Sequence, residues 1–481
     1  MPRRTKIVAT LGPATDDEHV MDEMIQAGMD VVRVNFSHGT HEDHVSRAEN
    51  VRNRARAFGH QVGVLADLQG PKIRIERFRE EMIRLEKDDH FILDAGLAAD
   101  AGNKERVGVT YKDLPNDVNR GDTLLIDDGL LVLWVEEVEE LEVRCRVVVG
   151  GKLTNSKGIN RQGGGLSAAS LTDKDREDIK VAAAMGADYV AISFPRSADD
   201  VHQARELLRE AGGHGGIVAK IERAEALDVL EEIIEASDAV MIARGDLGVE
   251  IGDAELPAVQ KRIIQVARSH DRVVITATQM MQSMIENPIT TRAEVFDVAN
   301  AVIDGSDAVM LSAETATGKY TARVIEAMDR ICAGAERQRM TTATERRIVI
   351  RYKRADEAIA KATMYTANSL GVKAIAALTE SGATPLWMSR ISSGIPIFAM
   401  TRHVETRRKV TLYRGVYPVS FDVTTPDHAT LNREAIDELM RRGAVRDGDL
   451  VIITKGDLAG VHGGTNAMKI ICVGEHEIME Q

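Results

Sequence analysis

The sequence predicts an α/β chain built on a (β/α)8 TIM barrel, with an inserted all-β lid domain and a separate C-terminal α/β domain. Three observations predict it. Short β-branched runs recur between amphipathic helical stretches, polar residues collect where those runs end, and one connection between runs is about three times the usual helical length. At 481 residues the chain also exceeds a single ordinary core, so two or three domains are expected.

The runs open at Thr5, Val31, Val62, Tyr189, Ile217, Ala239, Val273 and Ala308. Each is apolar on both faces, which is the pattern of a parallel sheet covered by helices. A barrel builds its chemistry from the loops at the C-terminal ends of its strands. Arg33, Asn35, Asp67, Lys220, Glu222, Arg244, Asp246, Thr278, Ser312 and Glu314 all fall at or just after a run end. An open doubly wound sheet shares that polarity, but no G-x-G-x-x-G follows the first run.

The barrel is assigned to residues 1–69 and 166–340, and the lid to 70–165. Lid pieces such as Arg106–Tyr111, Thr123–Val135 and Leu141–Val149 alternate with turns such as Asp127-Asp-Gly. The lid exit, Arg161-Gln-Gly-Gly-Gly, has the glycine content of a hinge. A charged connector around Thr341 to Arg354 leads to a helix opening near Ala355. Strand-like runs follow at Ala374, Ile397, Leu450 and Met468, so 341–481 form the C-terminal domain.

Composition narrows the function classes. With 44% hydrophobic and 28% charged residues the chain has little room for disorder. A formal net charge of -14 sets aside nucleic acid and anionic membrane as general partners, and anionic substrates would need locally concentrated positive charge. Cys145, Cys332 and Cys472 form no C-x-x-C pair, which argues against a disulfide framework or thiolate zinc site. The opening residues lack an apolar signal core and no apolar run approaches bilayer length, so a cytoplasmic location is expected.

Lys220-Ile-Glu222 ends one run and Arg244-Gly-Asp246 ends the next, so two carboxylates converge. Such a pair with open positions suits Mg²⁺, which keeps waters and substrate oxygens as further ligands. Lys220 then supplies a positive charge toward a transferring phosphoryl group. The plainer alternative is a salt-bridged Lys220/Glu222 pair. Gly245 permits close backbone approach, and N–H groups at a helix start after Arg244 suit a carboxylate.

Taken in order, Thr10-Leu-Gly-Pro-Ala, Arg33-Val-Asn-Phe-Ser-His-Gly, Asp67-Leu-Gln-Gly-Pro-Lys-Ile-Arg74, Lys220-Ile-Glu, Ala243-Arg-Gly-Asp-Leu-Gly, Ala277-Thr-Gln-Met and Leu311-Ser-Ala-Glu-Thr resemble the pyruvate kinase family across nearly the whole chain. The resemblance implies transfer of the phosphoryl group of phosphoenolpyruvate to ADP, giving pyruvate and ATP. It makes Glu222 and Asp246 ligands of Mg²⁺ or Mn²⁺, Lys220 the phosphoryl stabiliser and Arg33 a second phosphate contact. Ala243, Arg244, Gly245 and Asp246 would hold the substrate carboxylate. Thr278 would lie near the enolate, with Ser312 and Glu314 in a proton path. Pro13, Asn35, His38, Arg74 and Lys157 resemble the nucleotide contacts; His38 in a turn and Lys157 in solvent are the alternatives.

Many family members need K⁺, held by residues matching Asn35, Ser37 and Asp67, and carry glutamate at the position of Lys72. The lysine here resembles the K⁺-independent branch, its ammonium replacing the cation's charge; a surface lysine is the alternative. Thr379, Ser381, Gly382 and Thr384, between a strand and a helix, suit a phosphate. The family's effector loop is similar, but many relatives carry arginine in place of Ala383, and the loop from Gly456 to Thr465 lacks arginine and tryptophan. A sugar monophosphate or AMP is therefore the expected effector, with a plain turn as the alternative. The rival functions are a lyase or aldolase acting on phosphoenolpyruvate or pyruvate, and an inactive scaffold. A homotetramer is implied by the family, whose interface helix Thr291-Arg-Ala-Glu294 resembles, with its capping-box pattern.

Overall fold

The computed structural model describes residues 3–338, 352, 354–423, 427–457 and 463–475. The eight apolar runs become strands Lys6–Thr10, Val31–Asn35, Gly63–Asp67, Tyr189–Ile192, Gly216–Ile221, Ala239–Ala243, Val273–Ala277 and Ala308–Leu311. They close into a parallel barrel in which each strand neighbours the ones before and after it in the chain, and the first pairs with the eighth. Their side chains are buried almost throughout, which is why these segments read as continuous hydrophobic runs rather than alternating ones.

Helix starts follow local chemistry. Asp17 accepts the N–H groups of His19 and Val20 at the head of Glu18–Gln26, and Thr40 caps His41–Ala57 in a reciprocal box with Asp43. The predicted box at Thr291 is present at the head of Arg292–Asp304. There Glu294 also accepts the hydroxyl and N–H of Ser283 and the hydroxyl of Thr290. Burial alone would raise the Glu294 carboxyl, but the bonds from Ser283, Thr291 and Thr290 outweigh it and bring it down to about 2. A carboxyl lowered on folding stabilises fully above its unfolded pKa of about 4.5 and loses that contribution as pH falls toward 2. Glu294→Ala is accordingly expected to cost about 1 kcal/mol at pH 7, the usual worth of a cap. Urea unfolding at pH 7 and pH 3 checks this, because the gap between wild type and variant must narrow at the lower pH.

Two compact units make up the chain: Met1–Ala66 with Met185–Tyr189 and Ala267–Gln481, and Asp67–Ala184 with Val190–Val266. In the second unit the insert folds as a six-stranded sheet and a two-stranded one, with a core of its own that includes Phe91, Leu93, Leu124, Leu133 and Val147. Asp127 and Asp128 make the expected hairpin turn with positive φ between strands Thr123–Ile126 and Leu131–Glu139.

The first unit contains the C-terminal five-stranded sheet. Four of its strands are parallel, and Thr465–Cys472 runs antiparallel to Leu450–Gly456. Strand Val416–Ser420 was not expected because Pro418 interrupts it. It lies at the sheet edge, where a missing N–H is tolerated. The helix expected near Ala355 spans Ala355–Leu370. Most of the connector before it, 339–351 and 353, and residues 458–462 of the loop after Gly456 lie outside the described residues.

Candidate functional site

Strand Gly216–Ile221 delivers Lys220 to its C-terminal end, and Glu222 follows immediately. The Lys220 ammonium lies 2.9 Å from Glu222 Oε1 and 3.3 Å from Asp67 Oδ1, and it donates to Ser193 Oγ at 2.7 Å. Ser193 in turn donates to the Leu68 carbonyl. The second Glu222 oxygen accepts the Phe194 N–H at 2.9 Å. Phe194 holds a left-handed φ of 56°, a cost a non-glycine residue bears where the surrounding contacts impose it.

Arg244 opens helix Arg244–Ile251 directly after strand Ala239–Ala243, placing Asp246 in the first turn. Lys72 Nζ donates to Asp246 Oδ1 at 3.3 Å, so its ammonium meets this carboxylate. The turn that presents Lys72 depends on Gly70, whose φ is 67° and whose Cβ would stand 2.5 Å from Ser193 Cβ. Its N–H is held by Asp175 Oδ1 at 3.0 Å.

Burial is the main force on Glu222. It pushes the carboxyl up to about 7 against the pull of Lys220, and repulsion from Asp246 and Asp67 adds to the rise. A divalent cation beside Glu222 and Asp246 would relieve that crowding, so the donor set fits a hard cation with oxygen ligands. Among the described residues no group of three or more His, Cys, Asp and Glu could hold a metal.

Within the lid stem, Arg74 bridges Gly158 and donates to the Ser156 carbonyl at 2.9 Å. Lys157 pairs with Asp127 at 2.9 Å. The two expected nucleotide contacts therefore sit close across one pair of chain segments. At the lid exit, Gly163, Gly164 and Gly165 all have positive φ, and Arg161 is tied to Asp122 at 2.9 Å.

The remaining strand-end residues belong to the first unit. Arg33 donates to Thr10 Oγ1 at 3.2 Å. Asn35 accepts the N–H of Ser37 at its side chain and that of His38 at its carbonyl, so His38 lies exposed in a turn. Pro13 starts a short helical turn after Gly12, whose Cβ would meet the Ala316 carbonyl at 2.5 Å. Thr278 and Gln279 follow the seventh barrel strand with φ of 67° and 53°. Glu314 is buried, and its two oxygens accept the N–H groups of Ser312 at 2.7 Å and Met281 at 3.2 Å. It thereby ties the loop after the seventh strand to the one after the eighth.

The expected phosphate loop lies between strand Ala374–Leu378 and helix Ala383–Ser389. Thr379 accepts the Gly382 N–H at 3.0 Å, and buried Thr384 is bonded to Thr465. Gly382 has a φ of 81°.

Ser193, Phe194, Gly70 and Thr10 were not singled out from sequence. A serine closing the fourth apolar run was the available signal for Ser193; its role as the Lys220 acceptor depends on two strand ends meeting.

Residues 2–325 match the family model described as pyruvate kinase, barrel domain, and residues 357–471 match that described as pyruvate kinase, alpha/beta domain. The chain is 54% identical over 475 residues to pyruvate kinase II of Salmonella typhimurium, covering 98% of this chain and 99% of that one. It is 51% identical to a pyruvate kinase of Haemophilus influenzae, covering 94% and 96%. A pyruvate kinase of Mycobacterium intracellulare is 42% identical, covering 99% of this chain and all of its own.

Proposed function

Because the chain belongs to the pyruvate kinase family, we propose that it transfers the phosphoryl group of phosphoenolpyruvate to ADP at the cluster built around Lys220. It is a phosphotransferase by family. The observation that carries the site reading is the Lys220 ammonium held between Ser193, Asp67 and Glu222 at a barrel strand end.

In this reaction the bond between phosphorus and the enol oxygen breaks, and a bond to a terminal oxygen of ADP forms. Lys220 and Arg33 offset negative charge on the phosphoryl oxygens as the anions are brought together. Glu222 and Asp246 would hold Mg²⁺, or Mn²⁺ in its place. Such a cation supplies Lewis-acid charge neutralisation. Ala243, Arg244 and Gly245 orient the substrate carboxylate at the helix start.

The enolate left behind takes a proton at carbon. The hydroxyls of Thr278 and Ser312, with Glu314, are the chain's groups for that path, and Glu314 also accepts the N–H groups of Ser312 and Met281. Pro13, Asn35, His38, Arg74 and Lys157 bind the nucleotide. The lid, 70–165, closes over the barrel of 1–69 and 166–340 and excludes water that would otherwise accept the phosphoryl group. The C-terminal domain, 341–481, receives the effector at Thr379, Ser381, Gly382 and Thr384. The enzyme works in the cytoplasm as a homotetramer.

The ammonium of Lys72 beside Asp246 supports activity without K⁺ in a site whose other candidate groups are Asn35, Ser37 and Asp67. Pyruvate formation from phosphoenolpyruvate, ADP and Mg²⁺ tests both points. Full activity is expected in a K⁺-free buffer, and Lys72→Glu is expected to create a K⁺ requirement. A Lys72→Glu enzyme that is active and indifferent to K⁺ would sink the charge-replacement argument, and no activity in either buffer would sink the assignment.

A sugar monophosphate or AMP should lower the phosphoenolpyruvate concentration needed for half-maximal rate, and Ser381→Glu should abolish that response by placing a carboxylate where the phosphate binds. Activation by fructose 1,6-bisphosphate alone would count against a monophosphate effector.

A further inference from the structure

Arg4, Arg268 and Arg414 line one cavity of about 230 Å³ in the first unit, together with Ser392, Ser393 and an apolar floor that includes Ile303. Arg414 donates to the carbonyls of Val302 and Ser306, both at 2.9 Å. Arg268 donates to those of Gly305 at 3.1 Å and Arg390 at 2.8 Å. The contacts to Val302, Gly305 and Ser306 cover the C-terminal end of helix Arg292–Asp304, and that to Arg390 lies at the C-cap of helix Ala383–Ser389; each helix end carries about half a negative charge from its dipole. Two full cations exceed that need.

The neighbouring carboxylates are already engaged. Asp307 is paired with Arg390, Asp271 with Lys361 at 2.8 Å, and Glu336 with Arg4 at 3.5 Å. Asp304 also lines the cavity. Burial, with repulsion from Arg390 and Arg414, lowers the Arg268 guanidinium to about 10 against the pull of Asp307 and Asp271. Burial likewise lowers that of Arg414. Half-buried cations in excess of their counter-charges are costly, and an oxyanion that accepts their remaining N–H groups offsets the cost.

We propose that this cavity is a binding site for a small oxyanion, a phosphate or carboxylate group on a metabolite of few carbons, held by Arg268 and Arg414. Drug-sized ligands occupy roughly 300–1,000 Å³, so the cavity selects against them and against nucleotides. It is separate from the loop at Thr379–Thr384 and does not rest on the effector reading given to that loop.

The test is calorimetric titration of the full chain at constant ionic strength, with inorganic phosphate in one arm and malonate in the other. Wild type should show a binding event that weakens at least about tenfold in Arg268→Gln, the loss of a charge-assisted contact. Ile303→Trp fills the space without removing a cation and should lose the same event. It therefore decides the matter should Arg268→Gln not fold. Binding in the phosphate arm only, or the malonate arm only, identifies the group that the site prefers. Anomalous diffraction from crystals soaked in selenate should place selenium in the cavity. Isotherms unchanged by Ile303→Trp in both arms, or no selenium there, would overturn the proposal.

Discussion

Lys220→Met should lower kcat for pyruvate formation by at least about 10³-fold, the range for removing a group that meets charge developing in a transition state. The methionine keeps the length and apolar stem of the side chain but removes the ammonium between Ser193, Asp67 and Glu222. Glu222, already pushed up to about 7 by burial, loses the pull that opposed the shift and favours its neutral form more strongly. The substitution thus weakens the candidate metal carboxylate as well as removing the phosphoryl contact. Lys220→Arg should recover little, because a planar guanidinium does not reproduce the compact ammonium between three close acceptors. Steady-state rates, with circular dichroism to confirm folding, check the result. A Lys220→Met enzyme with kcat within tenfold of wild type would remove Lys220 from the chemistry.

The largest expected effect on stability is at Arg390. Its guanidinium makes two contacts with the Asp307 carboxylate, one of them at 2.9 Å, and both side chains are almost completely buried. Asp307 also accepts the Val274 N–H at 2.9 Å, and Arg390 donates to the Arg272 carbonyl at 2.6 Å. Arg390→Met leaves the buried carboxylate without its two guanidinium contacts and with only the coulombic pull of Arg268 and Arg414, which should destabilise by about 3 kcal/mol. Adding Asp307→Asn removes the stranded charge while keeping an acceptor for Val274, so the double variant should be more stable than Arg390→Met alone. Urea denaturation of the three proteins settles the order. A double variant no more stable than Arg390→Met would mean that lost packing, not buried charge, dominates.

The barrel was legible because parallel strands buried on both faces leave continuous apolar runs, and all eight runs became strands. Strand-end chemistry was legible too, since a polar residue closing such a run has little reason to be there except the loop face it enters. Edge strand Val416–Ser420 escaped because Pro418 broke the pattern that made the others visible. The expected role of Glu314 in a proton path came from resemblance; its two backbone contacts could not be read from spacing.

By itself, then, the sequence determined the strand-helix alternation, the inserted β segment, the second α/β sheet and the residue types gathered at strand ends, because each is written in local periodicity. Tertiary structure alone decided that Lys220 meets Ser193, that Lys72 meets Asp246, that Gly70 passes too close to Ser193 for any side chain, and that Arg268 and Arg414 share a cavity. These contacts join residues 27 to 174 positions apart, as for Lys220 with Ser193 and Lys72 with Asp246. Periodicity reports which face of an element is buried; partners at such separations are selected only when the closed sheet brings strand ends together.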